Sequence, residues 1–317
     1  MAKPSMLCAG IDTGKRQLDA SLVGGSERLQ VDNGPAGHLS LARWLHRHRV
    51  KRVGIEASGG YEGAAVARLR CEGFVVVVFQ PAQVRAYARF VLQRAKNDRL
   101  DAALIAECTA AAKKIHVPAD PRLAAFAASL TMLDQLGEDI ACLKNRRESC
   151  REARIERHWT AEIARLKAVQ RVELRALAAA IRQHPDLAQR LDLLCSIDGI
   201  GLPTALAILV RLPEIGRVSR EEAAALAGLA PWDDESGERQ GQRHIAGGRE
   251  RLRRALYTAA FAASFHWNDQ LKRRYRQLIA AGKAHKLALV ACARKLLIYA
   301  NAVVARGTPW QPLPAAA

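Results

Sequence analysis

Long apolar runs are scarce in this 317-residue chain. The run from Phe74 to Phe79 is too short to cross a bilayer, and Arg294 and Lys295 interrupt the apolar stretch 287–305. Residues 1–9 lack the long apolar segment and the small-residue cleavage site of a signal peptide. We therefore expect a cytoplasmic protein with no membrane partner.

Paired cysteine and histidine motifs are also missing. The seven cysteines are odd in number and scattered, and no two of them have C-x-x-C spacing. The nine histidines include no pair with H-x-x-x-H spacing. These absences argue against a disulfide framework and against a zinc site, and they favour small buried thiols in a reducing compartment.

Acidic residues are outnumbered. The chain has 49 Lys and Arg against 31 Asp and Glu, a formal net charge of +18. Such an excess favours a polyanionic partner, with nucleic acid ahead of a membrane surface. Half of the residues are hydrophobic, so the composition is that of a folded protein, and the length favours about two domains.

Three short apolar segments, 7–14, 18–23 and 29–31, open the chain. Turn residues separate them, which predicts a meander of three strands. Asp12 lies at the end of the first apolar run, on the strand that would be central in the sheet. A carboxylate on a buried strand needs a partner or a metal, so Asp12 is the first candidate for chemistry.

Alternating helices and strands follow the meander. Apolar periodicity predicts helices over 36–49, 61–71 and 82–93 and strands over 52–57 and 74–79. Glu56 lies near the end of the strand 52–57. Asp98 and Asp101 are three residues apart on a further predicted helix, so they would project from one face. This order is typical of an RNase H-like α/β domain, in which the first strand, the fourth strand and a late helix converge.

Four carboxylates in one cleft repel one another unless divalent cations neutralise them. Oxygen ligands of this kind suit Mg²⁺ or Mn²⁺, and two such ions can hold a phosphate during phosphoryl transfer. We therefore predict that Asp12, Glu56, Asp98 and Asp101 are metal ligands. For Asp98 and Asp101 the alternative is a helix cap and a solvated helix face.

An all-α portion is predicted to follow the α/β domain of residues 1–118. Heptad-like apolar spacing over 119–184 predicts two long helices, which form an antiparallel pair or a coiled-coil arm. Such an arm would join subunits; the alternative is a hairpin within one chain that only spaces two domains. The mostly helical domain 185–317 contains Gly199 and Gly201 in a pattern typical of a helix-hairpin-helix. These glycines would let backbone N–H groups approach a phosphate, although a purely structural turn is also open.

The segment 233–249 contains too many glycines to form a long regular element. A turn residue is the simpler interpretation of Ser236, but a metal-activated phosphate would make this serine a nucleophile. The predicted nucleic-acid contacts around it are Arg239, Arg243, Gly247, Gly248, Arg249 and Arg253.

Several motifs occur together in one order. They are Gly10–Asp12, Gly54–Glu56, Asn97–Ala102, Gly228–Pro231, Ser236–Gly237 and Ile245–Arg249. With this combination the chain resembles the insertion sequence 110 family of transposases. Those enzymes join a RuvC-like domain with an Asp-Glu-Asp-Asp set to a C-terminal transposase domain with a catalytic serine. The resemblance covers nearly the whole chain, and the sequence does not depart from the family at the four acids and the serine, which are Asp12, Glu56, Asp98, Asp101 and Ser236.

The resemblance implies Mg²⁺ at the four carboxylates and an attack of Ser236 on DNA that forms a covalent phosphoserine link. It also implies a structured non-coding guide RNA, called a bridge RNA, that pairs with donor and target DNA. Family members act as homo-oligomers, here a dimer or tetramer, in which the serine of one subunit completes the acidic site of another.

The favoured function is an RNA-guided DNA recombinase that moves its own element. One alternative is a hydrolytic RuvC-like junction nuclease, in which water replaces Ser236. A second is a non-catalytic scaffold that binds nucleic acid, which the positive charge would equally support.

Overall fold

A computed structural model of the chain describes residues 7–24, 27–92, 98–112, 120–232, 235–236, 239–240 and 244–312. The chain divides into two compact units, Met1–Pro118 and Ala119–Ala317. The section 119–184, predicted as a helical linker, therefore belongs to the same unit as the predicted C-terminal domain 185–317.

The first unit combines a five-stranded sheet with helices. Its elements are β1 (Cys8–Thr13), β2 (Gln17–Leu22), β3 (Arg28–Asp32), α1 (Pro35–Arg47), β4 (Arg52–Glu56), α2 (Gly63–Cys71), β5 (Val75–Phe79), α3 (Pro81–Phe90) and α4 (Asp98–Ala111).

The sheet has the strand order β3-β2-β1-β4-β5. The first three strands form the antiparallel meander that the sequence predicts, and β4 and β5 run parallel to β1. β1 is therefore central, as expected. This order, with helices between the parallel strands, confirms an RNase H-like α/β domain.

Each face of the sheet is covered by different helices. On one face Ile11 and Ile55 pack with Leu41 and Leu45 of α1 and Leu69 of α2, all of them fully buried. The other face carries α4, which packs against β1, β2 and β4. Because β1 and β4 are covered on both sides, they contain almost continuous apolar residues.

Two helices of this unit end sooner than their apolar periodicity predicts. Arg49, just beyond α1, has φ 54°, and Leu92, just beyond α3, has φ 57°. Both values lie in the left-handed region, which a continuing right-handed helix excludes. The chain therefore turns away at Arg49 and at Leu92.

The second unit is mostly helical. Its elements are α5 (Pro121–Glu148), α6 (Ala153–Arg182), α7 (Pro185–Cys195), α8 (Leu202–Arg211), α9 (Arg220–Leu226), β6 (Pro231–Trp232), β7 (Glu235–Ser236), β8 (Arg239–Gln240), β9 (His244–Ile245), α10 (Glu250–Ala262), α11 (Asp269–Ala280) and α12 (His285–Arg306). A five-residue π-helix, Ala263–Trp267, follows α10.

The long helices α5 and α6 form an antiparallel pair. Residues 149–152 reverse the chain, and Ile140, Leu143 and Ile163 are buried between the two helices. Near the other end of the pair, Gln170 donates its side-chain amide to the Leu133 carbonyl at 3.4 Å. An α/β domain plus a helical domain is thus confirmed, while a coiled-coil arm that joins subunits stays a prediction.

The helix α12 runs through the core of the second unit. It is long and apolar enough to cross a membrane by length and composition, yet half of its apolar stretch is buried inside the unit. Leu289, Leu296 and Ala300 are fully buried among the other helices. Its apolar character is therefore accounted for by core packing.

Candidate active site

Three carboxylates lie in a row across neighbouring strands. Asp12 on β1 is directly opposite Asp19 on β2. Ile11 pairs with Ile55, so Asp12 and Glu56 occupy the next positions along the parallel strands β1 and β4. Neighbouring strands are about 4.8 Å apart. We call Asp19, Asp12 and Glu56 the acid row; all three residues are half-buried.

Two glycines bring α4 against the face that carries the acid row. A Cβ atom at Gly10 would collide with the backbone of Ala102 and Ala106, and one at Gly54 would collide with the Thr109 side chain. Gly10 and Gly54 are paired in register on β1 and β4. Each lies two residues before a carboxylate of the acid row, and side chains alternate along a strand, so these carboxylates are on the α4 side.

The helix α4 carries the other two predicted ligands. Asp101 is half-buried and lies one residue before Ala102, at the contact with β1. Asp98 is the first residue of α4, but its side chain lies outside the described residues. The structure thus brings Asp12 and Glu56 together and places Asp101 on the helix that packs against their strands.

A cavity of about 250 Å³ opens beside the acid row. It is lined by Asp19, Ser21, Arg28 and Gln30 of β2 and β3 and by Ala102 of α4. Gln30 donates its amide to Asp19 Oδ1 at 2.9 Å, which holds that carboxylate on the cavity wall. An arginine and a carboxylate therefore line one small cavity.

Asn33 links the two chain segments that follow the candidate ligands. Its Nδ2 donates to the carbonyl oxygens of Gly14 and Tyr61, both at 3.0 Å. Gly14 lies two residues after Asp12, and Tyr61 lies five residues after Glu56. The Asn33 Oδ1 is 2.8 Å from Nε2 of the buried His38. One amide therefore links the β1–β2 connection to the β4–α2 connection.

A second network orders the loop directly after Glu56. The Glu62 carboxylate accepts hydrogen bonds from the Ser58 N–H, the Ser58 hydroxyl and the Gly60 N–H, each at 3.0 Å. Burial alone would raise the pKa of Glu62, but these hydrogen bonds outweigh it and lower the pKa. Ser58 is thus part of the loop structure.

The donor chemistry at the acid row fits a hard divalent cation. Asp12 and Glu56 offer carboxylate oxygens from neighbouring strands, the ligand type that Mg²⁺ and Mn²⁺ prefer. Among the side chains that the structure describes, no group of three or more His, Cys, Asp and Glu is close enough to hold an ion. The Asp98 side chain falls outside that search.

The candidate nucleophile lies in a short ribbon of the second unit. Strands β6 and β9 pair through Trp232 and His244, and β7 and β8 pair through Ser236 and Arg239. The backbone thus places Ser236 on a two-residue strand. The side chains of Ser236 and Arg239, and the whole of Arg243, lie outside the described residues.

Glycines close the base of this ribbon. Gly228, Gly247 and Gly248 have φ between 65° and 68°. A Cβ at Gly228 would collide with the Gly247 carbonyl and with Arg253 Nη1, and a Cβ at Gly248 would collide with the backbone of Gly228. Arg253 Nη1 donates to the Gly247 carbonyl at 2.6 Å. We call Gly228, Gly247, Gly248 and Arg253 the glycine clasp.

Arg249 supports the clasp from the next position in the chain. Its guanidinium forms a two-point ion pair with Glu214, with distances of 2.6 and 2.7 Å, and its backbone N–H donates to Leu226. Gly247, Gly248, Arg249 and Arg253 therefore have intramolecular roles in the structure. Their contact with nucleic acid stays a prediction.

The two glycines between α7 and α8 differ in their surroundings. Gly199 has φ 97°, and a Cβ there would collide with Ala263 of the same unit. Gly201 is exposed and precedes α8 at its N-cap. Packing explains Gly199 without a ligand, whereas Gly201 is placed where backbone N–H groups can face a phosphate. The helix-hairpin-helix interpretation stays a prediction.

Two family models match the chain in the order of its two units. Residues 9–150 match a transposase model for IS110 enzymes of the DEDD type, which includes β1, β4 and α4. Residues 191–276 match the model described as transposase IS116/IS110/IS902 family. The chain belongs to the IS110 family of transposases. Its first unit is the RuvC-like domain of that family.

Relatives along the full length agree with this assignment. The transposase is 26% identical over 318 residues to pilin gene-inverting proteins of Moraxella bovis and Moraxella lacunata, covering 95% of this chain and 96% of each relative. It is 31% identical over 136 residues to the insertion element IS110 uncharacterized 43.6 kDa protein of Streptomyces coelicolor, covering 42% of this chain and 33% of that protein.

Among solved structures, Thermus thermophilus RuvC matches with 21% identity and a TM-score of 0.24, over 36% of this chain and 85% of the other. The family assignment confirms the resemblance found in the sequence. It makes the transposase a DNA-processing enzyme whose DEDD domain is expected to depend on a divalent metal.

Sequence reasoning missed two residues of the candidate site. Asp19 joins the acid row because the β1–β2 hairpin places it opposite Asp12, and counting residues back from the turn at Gly14 could have found it. Asn33 gave no such signal, since its partners come from the separate β1–β2 and β4–α2 connections.

Proposed function

We propose that this transposase cuts and rejoins DNA by phosphoryl transfer at the acid row. The observation that carries the proposal is the register of β1 and β4, which places Asp12 and Glu56 side by side beneath α4. Asp98 and Asp101 on α4 complete the set. These four residues would hold Mg²⁺ or Mn²⁺, which supplies positive charge to the oxygens of the scissile phosphate.

The nucleophile in this proposal is Ser236. Its hydroxyl oxygen forms a bond to phosphorus and gives up its proton, one phosphorus–oxygen bond of the DNA strand breaks, and the departing sugar oxygen takes up a proton to become a hydroxyl. Arg239 and Arg243, in the same ribbon, would hold phosphate oxygens during this step. The glycine clasp supports the assignment because it gives the ribbon a fixed base.

The partners are donor and target DNA, a structured non-coding guide RNA and further copies of the chain, as a dimer or tetramer. Family membership and the net charge of +18 support nucleic acid, a polyanion, as the partner. We place the reaction in the cytoplasm. Sequencing of the RNA that co-purifies with the protein tests for a guide RNA. Strand cutting at the full rate after all RNA has been removed would exclude the guide RNA from the proposal.

Metal-dependent strand cleavage tests the acid row. With donor DNA, guide RNA and Mg²⁺, Asp12→Asn and Glu56→Gln should each cut more than about 100-fold more slowly than the parent, because even outer partners of a metal contribute 10–100-fold. Asp32→Asn, an exposed carboxylate at the end of β3, is the matched control. Normal cutting by Asp12→Asn would overturn the proposed site.

The alternatives predict other outcomes in the same assay. A hydrolytic junction nuclease would still cut at full rate after Ser236→Ala, since water would be the attacking group. A non-catalytic scaffold would bind DNA but show no cutting by the unmodified protein with any divalent metal. The serine proposal requires cutting by the parent and its loss in Ser236→Ala.

A further inference from the structure

An exposed stack of aromatic rings lies at the junction of α10, α11 and α12. Phe261 and Phe265 have ring centroids 5.1 Å apart, and Phe265 is 5.0 Å from Tyr275. Tyr275 meets His285 edge-on, and its hydroxyl is 2.8 Å from His285 Nδ1. Phe261 is 48% exposed and Phe265 is 40% exposed, whereas Tyr275 is half-buried and also packs against the core of the second unit.

The chain segment that carries most of this stack is rich in positive charge. The segment 261–287 contains six lysine and arginine residues and one acidic residue, a net charge of +5 without counting histidine. The acid, Asp269, is already paired with Lys272 at 3.0 Å. The exposed cations that flank Tyr275 and His285 in the chain are Arg273, Arg274, Arg276, Lys283 and Lys286. We call this set and the four rings the aromatic–basic surface.

The chemistry of this surface selects one kind of occupant. Exposed rings bind other planar groups by stacking, and flanking cations bind a phosphate backbone. A second copy of the same surface would bring five positive charges against five, which disfavours self-association through this face. In duplex DNA the bases are stacked on each other and closed to these rings, so a double helix could use only the cations.

We propose that the aromatic–basic surface binds single-stranded DNA by stacking unpaired bases on Phe261, Phe265 and Tyr275. Exposed base faces and a continuous phosphate backbone match the rings and the cations together. The inference rests on DNA as the partner of this family, and it is independent of whether Ser236 is the nucleophile. The proposed cutting and rejoining of strands would expose unpaired nucleotides, which a stacking surface with flanking cations is suited to bind.

Binding of labelled oligothymidine to the full chain tests this proposal by fluorescence anisotropy. The protein carries Asp12→Asn, so cutting does not interfere. The double variant Phe261→Leu with Phe265→Leu keeps apolar side chains but removes both rings. Its affinity for the single strand should fall by about tenfold or more. Its affinity for a duplex of equal length should stay within about twofold of the parent.

Trp267→Leu is the matched control. Trp267 is exposed on the π-helix two residues after Phe265, and it takes no part in the ring contacts found among the described residues. We expect it to leave single-strand binding unchanged. Three results would overturn the proposal. They are a loss of single-strand binding in Trp267→Leu as large as in the double variant, a loss of duplex binding in the double variant as large as its loss of single-strand binding, and tighter binding of oligouridine RNA than of oligothymidine.

A second measurement needs no substitution and guards against a variant that fails to fold. Single-stranded DNA containing 5-iodouracil is cross-linked to the unmodified chain by light, and the attached peptides are identified by mass spectrometry. Cross-links at Phe261, Phe265 or Tyr275 support the surface. Cross-links confined to other segments contradict it, whatever the strand-cutting activity of the preparation.

Discussion

At the scale of single residues, Asn33 connects separate segments of the chain beside the candidate site. Its amide donates to the ends of two separate connections and contacts His38. Removing it leaves the carbonyl oxygens of Gly14 and Tyr61 without this donor. Because those carbonyls follow Asp12 and Glu56 in the chain, the acid row would lose a common support.

Asn33→Ala should therefore lower both stability and activity. Two lost hydrogen bonds correspond to about 1–3 kcal/mol of unfolding free energy, measurable by urea titration. We also expect slower strand cutting at temperatures where the variant is still folded. Gln17→Ala, which truncates an exposed side chain of the same hairpin, should change neither quantity. Equal behaviour of the two variants would contradict a supporting role for Asn33.

His38 makes the stability of the first unit depend on pH. Burial lowers the pKa of His38, and the nearby positive charge of Arg68 lowers it further. The unfolded chain thus binds this proton more readily than the folded chain, and the free energy of unfolding falls as pH drops below about 6.5, the ordinary value of histidine. Above that pH the contribution is fully present.

The prediction is a steeper loss of thermal stability in the parent than in His38→Gln between pH 7.5 and pH 5.5. Glutamine keeps a donor near Asn33 but does not titrate. Melting followed by circular dichroism at the two pH values measures this difference. If both proteins lose the same number of degrees, His38 is not the source of the pH dependence.

Residues of the site differ in how readily the sequence reveals them. Asp12 and Glu56 are visible because a charge ends an apolar strand, which is costly without a partner. Asp19 requires the hairpin register, and Asn33 requires the path of two loops. Contacts between separate loops depend on the tertiary structure, so local patterns do not contain them.

At the scale of elements, the position of α4 depends on two glycines. Gly10→Ala would push its Cβ into the backbone of Ala102 and Ala106, which cannot yield as a flexible side chain would. We expect a loss of about 1–3 kcal/mol or more in unfolding free energy. Gly63→Ala, in the open first turn of α2, should be neutral or stabilising. A harmless Gly10→Ala would contradict close packing of α4 on β1.

The glycine clasp is the element that fixes the base of the Ser236 ribbon. Arg253→Gln removes the charge-assisted hydrogen bond to the Gly247 carbonyl. The rate of strand cutting should fall about tenfold or more, while the helical circular dichroism signal stays unchanged. Arg220→Gln, at the exposed first residue of α9, controls for lost charge. Equal activity of Arg253→Gln and the parent would show that the clasp does not position the ribbon.

Regular elements were easier to predict than the segments that join them. The meander, the parallel strands and the long helices follow from apolar periodicity, and the structure has them within a few residues of the expected bounds. The left-handed residues Arg49 and Leu92 end two helices early, and no glycine or proline marks those positions. The sequence pointed to Gly247, Gly248 and Arg253 as nucleic-acid contacts, but it did not predict that they pack with Gly228, because Gly228 and the other three lie on opposite sides of the ribbon in the chain.

At the scale of the whole molecule, the proposed chemistry draws on residues of both units. The acid row belongs to the RuvC-like unit, and the serine ribbon with the aromatic–basic surface belongs to the second. Composition predicted the polyanionic partner, since a net charge of +18 has that consequence in any fold. Composition could not predict that exposed rings would come together in this basic segment, because that depends on how α10, α11 and α12 pack.

The central claim is that acids of one unit and the serine of the other act in a single reaction. Its most direct test is to trap the protein–DNA adduct formed with Mg²⁺ and guide RNA and to identify the linked residue by mass spectrometry. We predict a link at Ser236 in the parent and no adduct in Ser236→Ala or in Asp12→Asn. Three results would contradict the claim: cleaved DNA without an adduct, DNA linked to a residue other than Ser236, or an undiminished amount of adduct in Asp12→Asn.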